Sequence, residues 1–293
     1  MPAMNVEIFP ERTDDPGAVL ALMERDGAVI LTGVEPTAEA SIEVARAVLG
    51  PAALDVRFQF GIELPVMVAL KEIFTFGTFD IPDGRFGEHT ETVRGWTEFF
   101  TQFLASRPVA DHTETLPAHV DGYALGDAAP DYIFQIFAQQ SDEGGESVLL
   151  DGVALVEQLA SDPEQADLAA FLAEVPIDQT EKGLTPCFGT VLQTGPTGRL
   201  RIVRHGDQAP HPDGDATLQQ AMIDRWQALV DQLTNDAVGV KVNHGEALCL
   251  DNYRLMHARR PYEDIGRELF VSWGWTADAI ALPSSERLTF AGT

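Results

Sequence analysis

The sequence predicts an antiparallel β-barrel or jelly roll flanked by helices, built as one domain over 293 residues. Three observations carry this expectation. Short apolar runs recur between glycine-containing turns, as strands do. Helical stretches are inserted between those strands, which suits a barrel with helices packed outside it. No shift of composition and no internal repeat marks a second unit.

Residues 17–25 (Gly-Ala-Val-Leu-Ala-Leu-Met-Glu-Arg) have helical periodicity and stop near Asp26-Gly27. Ala28 to Gly33 reads as a short buried strand. Pro36 and Thr37 open a helix to about Val48, stopped by Gly50-Pro51. Residues 74–86, with several Gly, Phe and Asp, read as loop or hairpin. Glu91 to Leu104 reads as an amphipathic helix whose aromatic stripe, Trp96, Phe99, Phe100 and Phe103, is core packing. Tyr132 to Ala138 is a strand rich in aromatic and β-branched residues. Gly144 and Gly145 then supply a turn, and Ser147 to Leu150 returns as a strand. Asp151 caps a helix from Val153 to Leu159, and a second helix follows Pro163. Residues 174–205 read as three short strands broken by Gly183, Gly189 and the Gly195-Pro196-Thr197-Gly198 turn. Ala216 to Leu233 is a long helix, and strands follow near Val238–Val242, Ala247–Leu250 and Glu268–Trp275.

Charge and cysteine usage bound the function. With 46 acidic against 19 basic residues the net charge is −27, which disfavours DNA, RNA and anionic lipid surfaces. Such a field is first of all a solubilising surface, and it also attracts cationic substrates. No apolar run reaches the length of about 18 residues that a membrane span needs. The first residues lack the basic-then-apolar pattern of a signal peptide. Cys187 and Cys249 stand far apart with no Cys/His cluster around them. They read as reduced, buried thiols in a cytoplasmic protein.

The chemistry centres on Leu116-Pro117-Ala118-His119-Val120-Asp121-Gly122-Tyr123. In extended backbone, residues two apart point to the same side, so His119 and Asp121 aim an imidazole and a carboxylate at one point. That pair is two-thirds of a 2-His-1-carboxylate facial triad, which leaves the other metal positions open. The third ligand is expected at His257, in Asp251-Asn252-Tyr253-Arg254-Leu255-Met256-His257. A lone His-x-Asp arises by chance in many chains; the surrounding residues carry the argument. His112 is a distant alternative ligand, His205, His211 and His244 sit in loop-like or strand-end contexts, and His89 has no ligand-spaced partner. Arg267 opens the last strand and alternates onto one face with Leu269, Val271, Trp273 and Trp275. A surface Arg paired with Glu268 is the bland reading, and the apolar neighbours of the same parity argue against it.

Taken together, His119-Val120-Asp121-Gly122-Tyr123, Gly144-Gly145-Glu146-Ser147, Asp251-Asn252 followed by His257, and Arg267 resemble the iron(II)/2-oxoglutarate dioxygenases of the taurine dioxygenase-like superfamily. Val148-Leu149-Leu150-Asp151-Gly152, Ile202-Val203-Arg204-His205-Gly206-Asp207 and Asp251 to Arg259 are most similar to its γ-butyrobetaine and trimethyllysine hydroxylase branch. The resemblance covers roughly residues 110–285. It implies a double-stranded β-helix (jelly-roll, cupin-like) core over about 111–285, mainly β with flanking helices, behind a helical and irregular part at about 1–110. It implies Fe(II), 2-oxoglutarate and O2 as cofactors, metal ligands His119, Asp121 and His257, and no catalytic side chain beyond them. Arg267 would hold the distal carboxylate of 2-oxoglutarate bidentately, and Ser147 would offer it a hydroxyl. The implied reaction hydroxylates an unactivated C–H of a small amino acid, free or carrier-bound and cationic or not, or of a betaine-like substrate, releasing succinate and CO2; desaturation or ring formation stays open. Tyr123, Trp273 and Trp275 are candidates for aromatic contacts to such a cation. One departure stands out: relatives often carry a second Arg four residues after the first, where this chain has Val271. Arg259 and Arg260 are nearby. The alternative is a non-catalytic metal-binding barrel acting as a small-molecule binding module. Expected partners are a small-molecule substrate, no nucleic acid and no membrane, with a homo-oligomer left open.

Overall fold

The computed structural model describes residues 4–63, 115–180, 186–263 and 267–283. The hairpin expected at 74–86, the aromatic helix at 91–104, and His89 and His112 lie outside the described residues. The architecture is mixed α/β with substantial sheet.

The first elements are set by caps. Asp15 accepts from the Gly17 N–H at the start of α1 (Pro16–Asp26), and Gly27, at φ +84°, closes it with its N–H on Met23 O. Strand β2 (Ala28–Thr32) follows at once, preceded in the chain by β1 (Glu11–Thr13). Helix α2 (Ala38–Leu49) starts at a Thr37 cap, whose hydroxyl accepts from Ala40 N at 3.1 Å, so Pro36 stands ahead of the helix rather than inside it. Then come β3 (Asp55–Glu63), β4 (Leu116–His119), β5 (Tyr132–Gln139) and β6 (Ser147–Asp151). Asp151 caps α3 (Gly152–Ser161) through Ala154 N at 2.9 Å, and α4 (Ala166–Glu174) packs beside it. Two short strand pairs, β7 (Ile177–Asp178) with β8 (Phe188–Gly189) and β9 (Leu192–Thr194) with β10 (Leu200–Ile202), lead to the long helix α5 (Ala216–Asp236). The chain closes with β11 (Glu246–Asp251), β12 (Leu255–Arg259) and β13 (Glu268–Trp275).

Three local expectations are corrected. Strand β3 stands where no element was expected, inside the part taken as helical and irregular. Val238–Val242 makes one isolated bridge, Val240 to Ser147, because Gly239 at φ +80° breaks the extension. Residues 174–205 hold four short strands where three were expected, with Gly189 ending one of them. Of the two thiols, Cys249 is buried, which pushes its pKa up to about 12, whereas Cys187 is partly exposed.

The strands form a six-stranded sheet, β1-β2-β11-β5-β13-β3, and a three-stranded sheet, β4-β12-β6. Alternation decides what each face meets. From the large sheet, Val29, Leu31, Phe134, Ile136, Ala247 and Cys249 pack under α1 and α2. From the small sheet, Ala118, Val148, Leu150, Met256 and Ala258 pack against α3, α4 and α5. The remaining faces, with Ile30, Ile133, Phe137, Leu248 and Val271 on one side and Leu149 and Leu255 on the other, meet in a shared interior. The order is therefore helices, large sheet, interior, small sheet, helices. Among the described residues no helix is long and apolar enough to cross a membrane.

Candidate metal centre

The small sheet carries the first ligand by parity. Ala118 and Val120 are buried toward the helices, so His119 and Asp121 face the interior. In the ladder, His257 of β12 stands directly opposite His119 of β4. Leu255, in the same register parity as His257, belongs to the interior cluster. Arg204 secures the backbone on both sides of His119: its Nη1 donates to Ala118 O, and its carbonyl accepts from Val120 N at 3.0 Å. The same guanidinium donates to Asp231 of α5 at 2.6 Å.

Two further residues fix Asp121. Gly122 turns the chain at φ +70°, where a Cβ would sit 2.5 Å from Pro130 Cδ, so no side chain fits. Asn252 clamps the Asp121 peptide from the other motif. Its Oδ1 accepts from Asp121 N at 2.9 Å, and its Nδ2 donates to Asp121 O at 3.0 Å and Pro130 O at 2.8 Å.

The side chains meet closely. Nε2 of His119 and Nε2 of His257 each lie 3.5 Å from Asp121 Oδ1. Ligand atoms of all three residues fall within 4.8 Å of one another, and the imidazole rings are 4.3 Å apart. His119 Nδ1 is 2.9 Å from Pro117 O, a carbonyl that can only accept, which assigns the proton to Nδ1 and the lone pair to Nε2. Burial, with the neighbouring His119, lowers the His257 pKa against the pull of Asp121, keeping this imidazole neutral. Burial raises the Asp121 carboxyl, but the two imidazoles outweigh it and hold it well below the usual carboxylate range. Two imidazoles and an ionised carboxylate thus crowd one point. Such a set could hold a metal ion, and two nitrogens with one oxygen suit iron(II). The second carboxylate oxygen, Oδ2, accepts from the Trp273 indole Nε1 at 3.2 Å.

Arg267 reaches the same interior, where Phe137 lies. It is buried, with its guanidinium 5.2 Å from the Phe137 ring and 5.4 Å from Tyr262. Its Nε donates to Gln140 Oε1 at 2.9 Å, and Gln140 is held in turn by Gly145 O at 3.3 Å and Val242 O at 3.2 Å. No carboxylate among the described residues pairs with it. Arg259, two residues after His257, lies over the same Tyr262 ring at 4.7 Å and stands opposite Ser147 in the ladder. Burial and the Arg259 charge push the Arg267 pKa down to about 10, still protonated at neutral pH.

The aromatic candidates separate. Trp273 reaches the centre. Trp275 is buried, donates to Ala128 O at 2.9 Å and meets Trp273 edge-on at 6.2 Å. Tyr123 stacks on His205 at 3.9 Å and 5°, and burial pushes the His205 pKa down to about 4. Sequence reasoning missed Gln140, which carries no motif, and the tie from Trp273 to Asp121. It noted Asn252 without seeing what the amide does.

Ligand-type side chains on a two-sheet frame, with a buried cation beyond them, define the 2-His-1-carboxylate class of oxygenases. A family model, taurine catabolism dioxygenase TauD, TfdA family, matches residues 7–273, and the chain belongs to that family. It is an iron(II)- and 2-oxoglutarate-dependent dioxygenase. Solved structures with a similar fold include an asparagine oxygenase in complex with Fe(II), 2S,3S-3-hydroxyasparagine and succinate, at 16% identity over 91% of this chain and 84% of that one, with a TM-score of 0.53. Another is AAD-2 in complex with Mn(II) and N-oxalylglycine, at 13% identity over 94% and 100%, with a TM-score of 0.55. A third is PvcB, an Fe, alpha-ketoglutarate dependent oxygenase from an isonitrile synthetic pathway, at 12% identity over 92% and 87%, with a TM-score of 0.50.

Proposed function

We propose that His119, Asp121 and His257 hold the iron(II), that Arg267 anchors the distal carboxylate of 2-oxoglutarate with help from Ser147, and that the enzyme hydroxylates an unactivated C–H of a small cationic amino acid or betaine-like substrate. The observation that carries this reading is the convergence of three acceptor side chains within 4.8 Å. We take the two facing sheets as the halves of a double-stranded β-helix, and residues 1–293 as one domain.

When bound, the iron and its cosubstrate supply oxygen activation at the cost of 2-oxoglutarate, which leaves as succinate and CO2. The chain's own residues do the rest. His257 is kept deprotonated by burial, so it can ligate without first losing a proton. His119 is oriented by Pro117 O, the kind of outer contact that fixes a ligating tautomer. Gln140 occupies the Nε of Arg267 and leaves its terminal nitrogens for a carboxylate. The surrounding apolar residues keep water from competing for that cation.

Two features support the substrate class. The net charge of −27 favours approach of a cation. The motifs at Val148–Gly152 and Asp251–Arg259 resemble the γ-butyrobetaine and trimethyllysine hydroxylase branch. The similar asparagine oxygenase was solved with an amino-acid-sized product. The test is a panel of amino acids, betaines and small acids, read as substrate-stimulated succinate formation. Stimulation by cationic members is expected, and stimulation by simple anions alone overturns the substrate reading.

A further inference from the structure

We propose that Trp273 is a positioning residue for the metal, tying off Asp121 Oδ2 so that the carboxylate offers Oδ1 alone. This inference rests on the ligand assignment above and adds a role that the sequence did not suggest. A carboxylate can bind a metal through one oxygen or both. Binding through both would consume one of the three positions that a chelating keto acid and oxygen together require.

The geometry separates the two oxygens. Oδ1 faces both imidazoles at 3.5 Å, while Oδ2 accepts from the Trp273 Nε1 at 3.2 Å. An indole N–H is a donor only, so Trp273 can restrain Oδ2 without ever competing for the metal. The ring is itself restrained. Its strand is paired on both sides, Trp273 standing opposite Ile133 of β5 and Arg57 of β3. A Cβ at Gly122 would lie 3.5 Å from the far edge of the indole, and Trp275 meets it edge-on. The Asp121 turn and Trp275 thus flank the indole. Gly122 lets the chain turn past Pro130, where a Cβ would not fit.

The experiment uses the full chain and Co(II) as an anaerobic spectroscopic probe, with parent, Trp273→Phe and Asp121→Ala titrated side by side. For Trp273→Phe a roughly 10- to 100-fold weaker Co(II) Kd is expected, the usual cost of losing an outer-shell partner. A changed ligand-field absorption is expected as Oδ2 becomes available; loss of packing alone would not alter the coordination number. If the phenylalanine variant fails to fold, benzothienylalanine placed at 273 replaces the N–H by sulfur in a ring of nearly the same shape. Parent-like Kd and spectrum in a folded variant overturn the proposal, provided Asp121→Ala has lost Co(II). Retention of Co(II) affinity by Asp121→Ala refutes the ligand assignment itself, and the proposal falls with it.

Discussion

Replacing Arg267 by Met should move stability and cosubstrate affinity in opposite directions. The side chain is buried and keeps no carboxylate partner among the described residues. Its ordinary pKa of 12.5 falls to about 10 through burial and the nearby Arg259 charge. At roughly 1.4 kcal/mol per tenfold change in a proton equilibrium, the site disfavours the cation by about 3 kcal/mol. Methionine keeps an unbranched chain against Phe137 and Tyr262 without the charge. The metal-free variant should therefore be as stable as the parent, or up to about 3 kcal/mol more stable, as when buried ions are replaced by apolar groups of similar size. Binding of 2-oxoglutarate should suffer instead. Removing one member of a buried charge pair costs roughly 2–5 kcal/mol, or about 30-fold to several thousand-fold in Kd. Lysine should restore part of this, giving a point charge in place of a fork. The assays are urea unfolding of the metal-free protein, and anaerobic titrations with iron alone and then with 2-oxoglutarate at saturating iron. Iron affinity should not change. A destabilised variant whose 2-oxoglutarate affinity is untouched would refute the reasoning and move the anchor to Arg259 or Arg260.

Three other predictions test separate parts of the structure. Alanine at His119, Asp121 or His257 should abolish iron-dependent succinate formation while circular dichroism stays parent-like; near-native turnover in any one removes that residue from the ligand set. His205, with a folded pKa near 4 against an ordinary 6.5, binds its proton more readily when unfolded. Its contribution is complete above about pH 6.5 and is lost as pH falls toward 4, up to about 3 kcal/mol; denaturation at pH 7 and pH 5 should show a smaller acid loss for His205→Gln, and equal losses would mean that His205 is not buried neutral. Finally, kcat/KM for a cationic substrate should fall as salt screens exposed charges over roughly 10 Å at 0.1 M; a salt-independent kcat/KM would exclude steering by the −27 charge.

What was legible in the sequence follows the rules that depend only on neighbours along the chain. Asp151 caps the helix it precedes, as expected, and Asp15, Thr37 and Asp215, not named as caps beforehand, obey the same local rule. Period-two alternation placed His119 with Asp121, and Arg267 with Leu269, Val271 and Trp273, on the interior side despite register shifts along β13. The strand at Val238–Val242 failed because one glycine at positive φ outweighs an apolar run. Gln140 was invisible for another reason. Its importance comes from standing beside Arg267, 127 positions later, and no local pattern encodes that proximity.

The two halves of the centre also prove to be one mechanical unit. Read along the chain, Asp251-Asn252 is only a prelude to His257, and His119-Val120-Asp121 a separate motif. In space Asn252 closes a reciprocal pair of hydrogen bonds on the Asp121 peptide, 131 residues away, and adds a third to Pro130 O, where the chain passes Gly122. His257 is meanwhile registered against His119. A shift of β12 against β4 would carry His257 out of line and pull Asn252 from the Asp121 turn in the same motion. The segment that leads into β12 thus holds the turn that carries Asp121, while β12 and β4 set the two histidines opposite each other. That coupling gives a physical reason for an Asn at a position where the metal itself needs none.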